Sequence, residues 1–134
     1  MKNILILLIF IYCNLTFSQS QRELNENAKQ EYTASDNRLD FIYKHLQKEY
    51  TKDTTFVKNL KNSQRIWIKF RLAELDLKYP NERNNYYGNT YPMCKWIYLK
   101  DLTNSRIDKL SEWIIGTEEG DVCKGSIKTK DKSQ

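Results

Sequence analysis

The chain has 134 residues, 29% of them charged, and a formal net charge of +5, which is the size of one domain able to bury its own core without a metal. Acids and bases interleave along the body, so there is no single-sign field of the kind that draws a protein onto nucleic acid. Four glycines and two prolines are too few for a linker-built or low-complexity chain.

The N-terminus opens with Lys2, continues in the apolar run Ile4 to Tyr12, and reaches Thr16, Phe17 and Ser18 before the polar Gln19. A basic start, a short apolar centre and small residues at a polar junction make a secretory signal peptide. Residues 1–18 are therefore expected to be removed, with cleavage after Ser20 as the alternative. The apolar run falls short of the ~20 residues that span a bilayer, so no membrane-spanning anchor is expected. Cys13 leaves with the leader; Tyr12 stands where lipid attachment needs a small residue. The mature protein is expected to be exported, periplasmic or secreted.

From Gln21 to Tyr50, the residues Leu24, Ala28, Tyr32, Ser35, Leu39, Ile42, Leu46 and Tyr50 recur at steps of three and four, one face of a helix. Thr51 to Thr55 is a polar break in which Asp53 or Thr54 can cap the next helix. Phe56, Leu60, Ser63, Trp67, Phe70 and Leu77 mark the inner face of a second helix, with Val57, Ile68 and Leu75 beside them. Pro80 ends it. These two helices are expected to form a long antiparallel hairpin. A loop rich in Asn and Tyr follows. Pro92 suits the first turn of a third helix, lined by Met93, Ile97, Leu102, Arg106, Leu110 and Trp113, with Leu99, Ile107 and Ile114 alongside. Gly116 is its stop. The fold class is all-α: a small three-helix domain over 19–116, then a disordered or extended, Lys-rich tail over 117–134.

Cys94 and Cys123 remain after the leader is removed, and an oxidising compartment favours their pairing. An unbroken third helix from Cys94 to Ile115 covers ~31 Å. The segment from Gly116 to Cys123 reaches ~26–29 Å fully extended. An intrachain Cys94–Cys123 bond is the expectation, made by a tail that returns almost straight along the helix or by a helix shorter than read here; two free thiols or a bridge between chains through Cys123 are the alternatives.

Little in the chain points to catalysis. The one histidine, His45, sits on the first helix without a metal-ligating set around it. No nucleophile elbow, phosphate-cradling glycine loop or CxxC pair occurs, and neither Glu26 with Asp36 nor Glu74 with Asp76 has a telling spacing. No cofactor, no metal and no enzymatic activity is expected. Two features stand out. In the run Gln64-Arg65-Ile66-Trp67-Ile68-Lys69-Phe70-Arg71, Trp67 and Phe70 are expected to face the hairpin interior. Arg71 is expected to lie over an aromatic ring and pair with Glu26, Asp36 or Asp40, and Arg106 could join that network. Around the loop, Tyr79, Tyr86, Tyr87 and Tyr91 form a cluster that either pins the loop to the bundle or, through Tyr86, Tyr87 and Tyr91, contacts a partner.

Several pieces carry a resemblance: Leu24-Asn25-Glu26-Asn27-Ala28; Asp36-Asn37-Arg38-Leu39-Asp40 with Tyr43; Gln64-Arg65 through Trp67, Phe70 and Arg71 to Glu74; then Cys94, Thr103, Arg106 and Leu110. Together they resemble the N-terminal domain family of LprI-like lysozyme inhibitors, small exported or lipid-anchored bacterial proteins. The resemblance implies a helical, non-enzymatic domain with Asn25, Glu26, Ala28, Asp36, Leu39, Gln64, Arg65, Trp67, Phe70, Arg71, Thr103, Arg106 and Leu110 as motif and core positions. Relatives commonly carry Cys where this chain has Asn27 and Leu75, and often Asp at Leu72, so a bridge between the first two helices is absent here. The functional expectation is an exported cell-envelope module that binds a protein or a cell-wall component, lysozyme among them. The alternative is an inhibitor of lysozyme or another cell-wall hydrolase.

Overall fold

The computed structural model describes residues 2–82, 86–120 and 122–130, with side chains from Ser20 onward. The side chains of the expected leader, Cys13 included, and the last four residues of the tail lie outside the described residues. The element order is α1 (Lys2–Glu49), α2 (Thr54–Lys78), a single 3-10 turn (Gly88–Thr90) and α3 (Tyr91–Ile115). The fold is all-α with three helices.

Each boundary has a local cause. The Asp53 carboxylate accepts the Phe56 amide at 2.9 Å and so caps the first turn of α2. α2 stops at Lys78 because Tyr79, the residue before Pro80, leaves helical geometry. Pro92 stands in the first turn of α3, and Gly116 closes that helix at φ 79°.

The backbones of α1 and α3 approach most closely, and α2 reaches them through longer side chains. Leu39, Ile42 and Leu46 of α1, Leu60 of α2 and Ile107 and Leu110 of α3 make one buried cluster near the α1–α2 turn. Tyr50 and Phe56 stack at 4.1 Å across that turn, and the Tyr50 hydroxyl donates to the Trp113 carbonyl at 3.2 Å. Ala28, Leu75 and Leu99 are buried toward the other end.

The inner face of α2 is rotated from the expected one. Leu60, Trp67, Arg71 and Leu75 turn inward, whereas Phe70 is 50% exposed and Leu77 76% exposed. At 100° per residue Phe70 lies on the flank of the Trp67–Arg71 face, and the stepwise stripe drifts off that face. On α3 the same happens to Ile97, which is exposed while Leu99, Thr103, Ile107 and Leu110 are buried.

Cys94 and Cys123 do not form a disulfide; both are thiols. α3 is unbroken, so Cys94 stands in its first turn and Cys123 beyond its far end. The tail turns back at Gly116 and pairs with itself instead of following the helix. Thr117 donates to the Lys128 carbonyl and Lys130 to the Thr117 carbonyl, both at 2.9 Å, closing one isolated parallel bridge between Thr117 and Thr129.

Candidate functional site

A polar tie crosses all three helices midway along the bundle. Arg71 Nη1 donates to Asp36 Oδ1 at 2.6 Å and to Thr103 Oγ1 at 3.1 Å. The Thr103 hydroxyl, fully buried, in turn donates to the Leu99 carbonyl at 2.7 Å. The guanidinium lies 4.7 Å from the Trp67 ring centroid and 5.6 Å from that of Tyr32, which stacks on Trp96. Of the three acids considered as partners for Arg71, the structure brings Asp36 to it; Asp40 pairs with Lys44 within α1, and Glu26 stays on the surface. Burial raises the Tyr32 pKa, with Arg71 opposing and Asp36 adding to the shift. The tie orients one helix against the others.

A second knot fixes the loop. Thr90, the residue before α3, supplies no side-chain cap. Asn25 does so from α1: its Oδ1 accepts the Met93 amide at 3.1 Å and its Nδ2 donates to the Asn89 carbonyl at 3.1 Å. Above it the tyrosines pack edge to face and stacked. Tyr79 meets Tyr91 at 5.2 Å and Tyr87 at 5.3 Å, Tyr87 stacks on Tyr91 at 5.7 Å, and Tyr86 sits edge-on to Tyr87 at 5.1 Å. Tyr87 and Tyr91 are half-buried, and Tyr86 stands 74% exposed. Burial is the main cause that raises the Tyr91 pKa, with Glu82 adding to it; Glu82 also pairs with Lys95 at 3.0 Å.

The third feature is a groove along the α2–α3 seam. A cleft of about 300 Å³ has Phe56 and Leu60 on one wall, Leu110 and Trp113 on the other, and Asp53, Ser126 and Arg106 at its edges. Arg106 does not join the Arg71 tie. Its Nη2 donates to Ser63 Oγ at 2.8 Å and its Nε to Gln64 Oε1 at 3.3 Å. Of the other residues singled out in the sequence, Ala28, Leu39 and Leu110 are buried and Arg65 stays outside, bonded to Asn62 at 2.8 Å. His45 meets Glu49 at 3.3 Å on the surface of α1.

The sequence matches the family model described as lysozyme inhibitor LprI over residues 13–110. That span contains α2, most of α1 and α3, and every residue of the tie and the loop knot. The chain belongs to the lysozyme inhibitor LprI family. No curated protein and no solved structure matches it. The description of that family names an inhibitor rather than a catalyst. Among the described residues no three His, Cys, Asp or Glu side chains gather as a metal site, and no helix is long and apolar enough to cross a membrane. Asn25, Asp36, Arg71 and Thr103 do architectural work: they hold the loop and tie the helices together. The α2–α3 groove and the capping role of Asn25 have no signal in spacing, since both depend on which helix faces which.

Proposed function

We propose that the mature protein is exported and acts as a non-catalytic inhibitor of a lysozyme-type cell-wall hydrolase, with the tyrosine loop as its contact. The observation that carries this reading is the match to a lysozyme-inhibitor family across most of the chain. The loop supports it physically. Tyr86 is presented to solvent on a base of packed rings, so a large contact area is offered with little side-chain freedom left to lose on binding. The chain's net charge of +5, which becomes +4 when the leader takes Lys2 away (21 basic less 17 acidic), does not steer the protein toward a basic hydrolase, so an acidic or neutral target is favoured.

The test is a cell-wall lysis assay with the mature protein against an acidic and a basic lysozyme. Near-stoichiometric slowing of at least one of them is expected. Replacing Tyr86 and Tyr87 with Ala should weaken it roughly thirtyfold, the size of an interface hot spot of about 2 kcal/mol, with helicity unchanged. Absence of inhibition with both enzymes refutes the reading. Co-sedimentation with purified peptidoglycan in that case would leave the broader one, an envelope-binding module.

A further inference from the structure

Arg106 is a half-buried cation with neutral partners. Arg71, its counterpart in the tie, has a carboxylate at 2.6 Å. Arg106 is held by two neutral acceptors, Ser63 and Gln64, and no acid among the described residues pairs with it. Burial lowers its pKa from the ordinary arginine value, and no carboxylate offsets that cost. It stands where two clefts meet. On one side lies the cleft walled by Phe56, Leu110 and Trp113; on the other, a shallower one bordered by Ile66, Trp67 and Phe70.

We propose that this groove is a carboxylate-recognition site for a peptide segment of a partner protein, one that presents an acidic side chain next to an apolar one. Arg106 is the anion receptor and the aromatic walls take the apolar neighbour. Ser63 and Gln64 hold the guanidinium from one edge, leaving other N–H groups of its planar fork to donate to a carboxylate. A guanidinium already stripped of part of its water gains more from an arriving carboxylate than a fully hydrated lysine does. Asp53, about 15 Å from Ser63 along α2, lines the same cleft. It repels a second acid there, which sets the direction of the bound segment: carboxylate toward Arg106, neutral or basic end toward the start of α2. The proposal does not rest on hydrolase inhibition and is tested without a hydrolase.

The experiment is an NMR titration of the mature protein with the blocked tetrapeptide acetyl-Ala-Phe-Glu-Leu-amide and, separately, its Glu-to-Gln twin. The acidic peptide is expected to bind at least about tenfold more tightly than the twin, the size of one charge-assisted pair. The signals that move should be the Trp113 indole N–H, which donates to Ser126 at 2.9 Å, and the Arg106 Nε–H. Arg106→Gln should bring the acidic peptide down to the affinity of the twin, and Arg106→Lys should fall between. Equal affinities for the two peptides, no saturable shift at either signal, or full binding by a folded Arg106→Gln protein would each overturn the proposal. Should Arg106→Gln fail to fold, the comparison of the two peptides on the native protein decides alone.

Discussion

Replacing Arg71 with Ala tests the tie that orients the helices. The Arg71 side chain is 11% exposed and that of Asp36 45%, so the pair is neither a surface bridge nor a sealed one. A surface bridge contributes about 0–1 kcal/mol, whereas breaking a buried pair costs about 3–5. After truncation Asp36 rehydrates, which removes much of the larger penalty. Thr103 keeps its bond to Leu99 and is not orphaned. What is lost is one charge-assisted hydrogen bond, the contact to Thr103 and the cation–π contact with Trp67, the last worth about 0.5–1 kcal/mol. The expected destabilisation is about 2–3 kcal/mol, or roughly 8–12 °C in Tm for a domain of this size. Urea denaturation of Arg71→Ala, Asp36→Asn and the double variant forms the cycle that isolates the pair. A coupling of about 1–2 kcal/mol is expected. Coupling below about 0.5 kcal/mol would refute the reasoning, because the tie would then be decoration on helices already fixed by packing.

Three further outcomes follow from particular contacts. Asn25→Ala should cost about 1–2 kcal/mol in thermal or urea unfolding, since it removes a side-chain cap of α3 and frees the Asn89 carbonyl; hydrogen exchange at Met93 should speed up more than in the middle of α3. Gly116→Ala should destabilise by about 1–2 kcal/mol, because the backbone there is left-handed and an added Cβ would stand 2.9 Å from the Lys128 carbonyl oxygen; an unchanged melting curve contradicts this. Tyr32, Tyr50, Tyr79, Tyr91 and Tyr98 all have pKa values raised above the ordinary 10.0, chiefly by burial. A folded pKa above the unfolded one adds stability that is whole below pH 10 and is lost as pH rises through the folded values. Absorbance at the phenolate band should therefore lag behind that of the urea-unfolded chain above pH 10, and stability should fall there; coincident titrations would contradict the packed cluster.

Much of the fold was legible because its causes are local. The α1 stripe Leu39, Ile42 and Leu46, the cap at Asp53, the stop at Pro80 and the turn at Gly116 each follow from a residue's own chemistry, and the structure shows all of them. So did the pairing of Arg71 with an acid over an aromatic ring. The rotation of α2 was not legible. Trp67 and Phe70 are both aromatic at helical spacing, and nothing in their spacing tells which one the partner helices will cover. The close approach of α1 to α3 decides it, and that is a tertiary fact. The disulfide expectation failed for a related reason. It needed the tail to travel back along α3 or that helix to be shorter, whereas α3 runs unbroken and the tail pairs with itself at the Thr117–Thr129 bridge. Asn25 capping a helix that begins over sixty residues later, and the groove around Arg106, likewise arise only once the helices are set side by side.

The two thiols bear on how the molecule matures. Cys94 and Cys123 are not joined in this fold, so no bond between them has to form before α1, α2 and α3 can pack. Helix formation and packing hold the three helices without that covalent link. The register of the helices then rests on few side chains, those of the buried cluster and of the Arg71 tie.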